Sequence, residues 1–291
     1  MKPFADRLVE IVREKASRVV VGLDPRPESI PAEFGTGPRA VLDFNAEILR
    51  LVREHAVAVK PQIAFYERLG PPGLEVYAET CRRARDAGFL VIGDVKRGDV
   101  PETAKAYAEA HLETFPADAI TVNPYFGRDG IDPFLATAKK RGAGLFVLVK
   151  TSNPSSKEIQ DLDVGGKPLH VKVAEMTFEW GAELVGASGY SSVGAVVGAT
   201  HPAEAARIRA AMPMRIFLVP GYGAQGATAA DVAVCFEPGG LGAVVNASRS
   251  VVFAWERKPW SERFGAARWR EAVAESARVM KEEINAAIIP R

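Results

Sequence analysis

The stretch "FLVIGDVKRGDV", residues 89–100, opens as an apolar run and then sets Asp94, Lys96, Arg97 and Asp99 within six positions. A run that is apolar at successive positions reads as a strand buried on both faces, the habit of a parallel sheet covered by helices. Seven other stretches share this design: "RVVVGLD" (18–24), "AVAVKPQ" (56–62), "AITVNPY" (119–125), "LFVLVKTS" (145–152), "SVGAVVGAT" (192–200), "RIFLVPG" (215–221) and "GAVVNASRS" (242–250). Each is followed by a polar or Gly/Pro-rich turn and then by an Ala/Glu/Arg-rich helical stretch. Eight strand–helix units in 291 residues fit a (β/α)8 TIM barrel better than an open sheet. No linker or compositional break divides them, so we expect a single catalytic domain over 1–291, with an extra N-terminal helix ahead of the first strand. The last helix is expected over roughly 262–288, with Trp269, Val273, Ala277, Met280 and Ile284 on its core-facing stripe. Trp255, Trp260 and Trp269 are expected to pack the end of the barrel.

Bulk properties narrow the function. A formal net charge of +1 carries no electrostatic footprint for nucleic acid or an anionic membrane. The opening residues "MKPFADRLVEIVREK" mix charges through the apolar positions and lack a secretory core. No apolar segment approaches membrane-spanning length, and the expected location is the cytoplasm. Cys81 and Cys235 read as small buried side chains. His55, His111, His170 and His201 have no zinc-like spacing and read as ordinary surface or satisfied polar histidines, with His201 set apart only by following the sixth strand at the mouth.

In a barrel of this type, active residues gather at the C-terminal ends of the strands. Those ends read Asp24, Lys60, Asp94 with Lys96, Asn123, Thr151 with Ser152, Thr200 with His201, Gly221, and Ser248 with Arg249. Polar groups at such depth are costly unless they are paired or used. Asp94 and Lys96 stand two apart on the third strand and so should share a face. Lys60 ends the neighbouring strand. Asp99 lies beyond, in the turn before a helix that starts near Pro101. The result is a Lys–Asp–Lys–Asp array in which each ammonium has a carboxylate beside it, which favours the charged forms. A salt-bridge network that merely ties strands together is the bland alternative; the polar residues at the other strand ends argue against it.

"GYGAQG" (Gly221, Gly223, Gly226) matches the dinucleotide-binding pattern, following a strand and opening a helix. It belongs, however, to the seventh unit, and the next strand ends at Asn246 and Ser248 without an acid for a ribose. Barrels of this type commonly hold a phosphate with the loops after strands seven and eight. Glycine N–H groups, Gln225 and the planar, always charged fork of Arg249 suit a monophosphate better.

"DVKRGD" at 94–99, with Lys60 and Thr103, resembles the orotidine 5′-phosphate decarboxylase family. "VGLDPRP" (21–27), "VKTSNPSS" (149–156), "VPGYGAQGA" (219–227) and "NASRS" (246–250) are similar to its longer bacterial branch. The D-x-K-x-x-D element by itself is shared with related sugar-phosphate barrels. The resemblance implies a lyase of pyrimidine (UMP) biosynthesis that uses no metal and no cofactor and removes CO2 from C6 of orotidine 5′-phosphate. By the same resemblance Lys96 stabilises charge at C6 and protonates it, Asp94 faces the substrate carboxylate, and Lys60 holds Asp94 and a ribose hydroxyl. Asp24 hydrogen-bonds the ribose, Ser152 beside Thr151 reads the pyrimidine, and Gln225 and Arg249 hold the phosphate with the Gly221 loop. Asp99 and Thr103 are implied to reach the neighbouring subunit's site, which makes the expected assembly a homodimer. The polar segment from Asn153 to Gly166 is expected to act as a lid over the base, with "GYGAQG" closing from the phosphate side.

Three rivals remain at this level. Mg2+-dependent sugar-phosphate relatives place an acid where this chain has Lys60. A Schiff-base mechanism on Lys96 or Lys150 needs a depressed lysine, whereas the nearby acids act in the opposite direction. A non-catalytic phosphate binder could dispense with the charges of the third strand.

Overall fold

The computed structural model of the chain describes residues 1–288. The eight apolar runs form β1 (Val19–Leu23), β2 (Ala56–Pro61), β3 (Leu90–Arg97), β4 (Ala119–Val122), β5 (Gly144–Lys150), β6 (Ser191–Val197), β7 (Arg215–Pro220) and β8 (Ala243–Ala247). Each pairs in parallel with the next and β8 pairs with β1, closing a barrel with helices between the strands. The two sets of side chains on these strands serve two cores. Val20, Ala58, Ile92, Phe146, Leu218 and Val244 fill the barrel interior, while Val21, Val59, Val91, Ile120, Val147, Phe217 and Val245 pack beneath the helices. Both faces are therefore dry, which is why these strands carry no polar alternation.

The helix Phe4–Lys15 precedes β1, as expected, and adds Phe4, Ala5, Leu8, Val9 and Val12 to the interior cluster. It closes the N-terminal end of the barrel. Phe4 stands edge-on to Phe146 at 5.8 Å and rests on Gly144, where any Cβ would collide with its ring. Asp6 fastens the helix by accepting from the backbone N–H groups of Ala187 (3.0 Å) and Ser188 (2.8 Å). Burial alone would raise the Asp6 carboxyl, but these donors hold it below its ordinary value. With one end plugged, the open end of the barrel is the C-terminal one.

The final helix begins later than the spacing predicts. It runs Trp269–Ile288, and ahead of it lie two short turns, Trp260–Arg263 and Ala266–Arg268. Gly265, at φ +62°, interrupts the helical path between them. The expected stripe of Trp269, Val273, Ala277, Met280 and Ile284 is buried. Trp255 and Trp269 join Phe34, Phe44 and Phe253 in an aromatic cluster against the helix Gly37–Val52. Trp260 is only partly buried and stacks on Phe264. No helix among the described residues is long and apolar enough to cross a membrane. Cys81 and Cys235 are buried free thiols, and burial pushes each up to about 12.

Candidate active site

A cavity of about 700 Å3 opens at the C-terminal end of the barrel. Its floor holds the charges of β2 and β3. Lys60 Nζ donates to Asp94 Oδ2 at 2.6 Å, and Lys96 Nζ donates to Asp94 Oδ1 at 2.5 Å. Lys60 and Asp94 are almost wholly buried, whereas the Lys96 side chain is 43% exposed and reaches into the cavity. Burial disfavours the ammonium of Lys60, yet Asp94 and then Asp24 outweigh it and hold it above the ordinary lysine value. Burial likewise opposes ionisation of Asp94. The two lysines win, and its carboxyl lies well below the usual carboxylate range.

Asp94 and Lys96 meet as expected, but simple alternation is not the whole reason. The pairing of β3 with β4 slips between Gly93 and Arg97, and Lys96 adopts a left-handed backbone at φ +47°. Such a bulge re-aims a side chain at a sheet end. Thr121 on β4 holds it in place: its Oγ1 accepts from the N–H groups of Val95 and Lys96, each at 2.9 Å, and donates to Asp94 Oδ1 at 3.1 Å. The sequence reading missed Thr121, because nothing in "AITVNPY" separates it from the other strand residues.

Around this floor stand Asp24 after β1, Thr151 and Ser152 after β5, Gly221 and Gln225 after β7, and Arg249 after β8, all lining the same cavity. Asp24 Oδ1 and Asn246 Oδ1 are buried without a hydrogen-bond partner among the described residues, so each can take a donor from a bound molecule. Phe65, Leu148, Val196 and Leu218 supply apolar wall; Ser248, named among the strand ends, lines it too, and Arg26 and Asn246 are polar wall residues to which the motif reading gave no role. The strand-end residues Asn123, Thr200 and His201 do not line the cavity. Gly221, Gly223 and Gly226 have φ of +106°, +69° and +92°, a looped path closed to most side chains. The following helix begins only at Ala229, capped by Thr228 and Asp231. "GYGAQG" therefore forms a loop facing the cavity instead of opening a helix, the arrangement a dinucleotide site requires.

Asp99 and Thr103 are not brought into the cavity. Asp99 Oδ1 accepts from the Val100 N–H at 2.8 Å, and Thr103 is exposed on the helix Pro101–Glu109. Lys150 is also elsewhere. Its ammonium is fully buried and pairs with Asp161 Oδ1 at 2.5 Å, away from any reacting group in the cavity. Among the described residues no group of three or more His, Cys, Asp or Glu side chains converges to hold a metal ion.

Fold and site together define a (β/α)8 barrel with a charged pocket at the strand ends, the usual frame of an enzyme acting on a phosphorylated small molecule. Residues 17–258 match the model of the orotidine 5′-phosphate decarboxylase / HUMPS family. The chain is 42% identical over 300 residues to the orotidine 5′-phosphate decarboxylase of Rhodopirellula baltica, covering 98% of this chain and 99% of that protein. It is 41% identical to the one from Deinococcus radiodurans, covering 98% of each. The solved OMP decarboxylase of Leishmania donovani superposes with a TM-score of 0.80 at 34% identity, over 98% of each chain. The chain belongs to the orotidine 5′-phosphate decarboxylase family, as its motifs lead one to expect.

Proposed function

We propose that the chain converts orotidine 5′-phosphate to UMP and CO2 without metal or cofactor, as the last step of de novo UMP synthesis in the cytoplasm. The observation that carries this reading is the Lys60–Asp94–Lys96 array, its first two members buried, at the floor of a nucleotide-sized cavity with Arg249 on its wall. In the reaction the bond from C6 to the carboxylate carbon breaks, CO2 departs, and the electron pair stays on C6. The exposed ammonium of Lys96 stabilises that pair and then donates the proton that completes UMP. Asp94 faces the substrate carboxylate and keeps Lys96 aimed, while Lys60 keeps Asp94 ionised. Asp24 and Lys60 take ribose hydroxyls. The Thr151 hydroxyl is already bonded to Gln160 and Asn153, which leaves Ser152 to read the pyrimidine. The Gly221 loop, Gln225 and Arg249 hold the phosphate, whose binding energy orients the remote C6.

Asp99 and Thr103 complete the site of a second copy in a homodimer. Supporting this part is the surface around them. Val100, Tyr125 and Phe126 are 52%, 87% and 46% exposed beside Asp99, an apolar patch suited to an interface.

Loss of orotidine 5′-phosphate absorbance in excess EDTA, with Lys96→Ala alongside, tests the reading. Turnover that survives EDTA and falls at least about 10^3-fold in the variant is expected. A folded protein that leaves the nucleotide intact, or acts on sugar phosphates only with Mg2+, would overturn it.

A further inference from the structure

The segment after β5 is not a free lid. Its helical turn Lys157–Gln160 returns to the strand end it follows. Gln160 Oε1 accepts from the Thr151 N–H at 3.0 Å, and Gln160 Nε2 donates to Thr151 Oγ1 at 2.8 Å. The Thr151 hydroxyl passes its own proton to Asn153 Oδ1 at 2.7 Å. The next residue, Asp161, is anchored below. Its Oδ1 accepts from the fully buried Lys150 ammonium and lies 3.0 Å from His170 Nδ1. The same ring nitrogen lies 2.9 Å from the Gln160 carbonyl oxygen, so an Nδ1–H serves both acceptors. Lys150 is thus an internal counter-charge for the turn, which accounts for a buried ammonium outside the reaction.

Ser152 sits inside this frame. Thr200 Oγ1 donates to its carbonyl at 3.3 Å, and Gly198 lies so close that an added Cβ would fall 2.9 Å from the Ser152 Cα. Of its flanking residues, Thr151 is the one that the Gln160 bonds lock, and the Thr151 hydroxyl in turn holds Asn153.

We propose that Gln160 and Asp161 are positioning residues, a clamp that fixes Thr151 and thereby holds Ser152 at the base-reading wall of the cavity. The proposal rests on the functional reading above for the role of Ser152, but the clamp itself is independent of the reaction. Asp161 acts through Lys150 and His170; Gln160 acts directly on Thr151. The hydrogen bond from Lys150 keeps the Asp161 carboxyl below its ordinary value, which agrees with an anchor that stays ionised.

The test combines amide hydrogen exchange of residues 150–156 in the substrate-free protein with kcat and KM for orotidine 5′-phosphate. In Gln160→Ala the Thr151 amide should exchange at least about tenfold faster than wild type, and kcat/KM should fall about tenfold. Exchange elsewhere in the barrel should be unchanged. Gln160→Glu keeps an acceptor for the Thr151 N–H and should restore most of the protection. Asp161→Asn should loosen the same peptide by removing the charge that pairs with the Lys150 ammonium. Unchanged exchange at Thr151 in Gln160→Ala would overturn the clamp, as would faster exchange with an unchanged kcat/KM in an active enzyme. A wild type that does not decarboxylate the nucleotide would sink the functional reading alone, with the exchange data still deciding whether the clamp exists.

Discussion

Asp94 is the residue on which the site turns, and its charge is a balance of large opposing effects. Burial opposes the carboxylate, and two ammonium groups within 2.6 Å restore it. Its folded value lies below the ordinary one, so the stability it contributes is complete above the usual carboxylate range and is lost only as pH falls through the folded value. Lys60 is raised, so its contribution is complete below the ordinary lysine value and is lost only at higher pH. The pair therefore holds one charge state throughout neutral pH. Thr121 is the residue whose removal isolates the geometry from the charge. Thr121→Val keeps the shape but leaves the Val95 and Lys96 N–H groups without their acceptor. We expect a loss of roughly 2 kcal/mol in stability, with kcat down about tenfold because Lys96 is no longer aimed. Denaturant unfolding beside single-turnover kinetics checks both; full kcat in the variant would mean that the bulge holds itself.

At the scale of elements, the helix Pro101–Glu109 continues as a wide turn, Ala110–Thr114, that carries His111 into the core. His111 is 3% exposed, packs on the Phe115 ring, and its Nδ1 has no hydrogen-bond partner among the described residues. Burial, with Arg97 adding to it, lowers the imidazole to about 4. The unfolded chain binds a proton near pH 6.5 and the folded chain does not until about pH 4, so stability falls as pH drops through that window. The loss should reach roughly 3 kcal/mol. A His111→Gln variant should lack this component, and the difference between the two Tm profiles from pH 7 to pH 4 measures it. Parallel profiles would show that the histidine finds a partner when charged. From the sequence His111 reads as a surface or satisfied histidine; it is neither, because its burial comes from a turn that only the packed helix defines.

For the whole molecule the open question is the second copy. Asp99 and Thr103 lie outside the cavity of their own chain, next to the exposed Val100, Tyr125 and Phe126. If they serve a neighbouring site, Asp99→Ala and Lys96→Ala proteins, each inactive alone, should recover activity when mixed. Random exchange makes about half of the dimers heterodimers, each with one intact site of its two, so about a quarter of wild-type activity is expected. Mass measurement of the exchanged species must accompany the assay, and no recovery in exchanged mixtures would reject the shared site.

The sequence by itself determined the barrel, because eight runs apolar on both faces, each followed by a helix, suit a closed parallel barrel better than an open sheet, and it determined the family through motifs at the ends of several strands. It also named most of the polar residues of the cavity wall, since strand ends of a closed parallel barrel must converge. Tertiary structure decided the rest. Thr121 became part of the site only through the slipped register of β4 on β3. The turn Lys157–Gln160 became a clamp only because the chain folds back on its own strand. The path of "GYGAQG" was settled by three left-handed glycines and a helix that starts late, at Ala229. Local patterns report which face is buried; they carry no information on which neighbour a hydroxyl or an amide will find across a register shift or a returning loop.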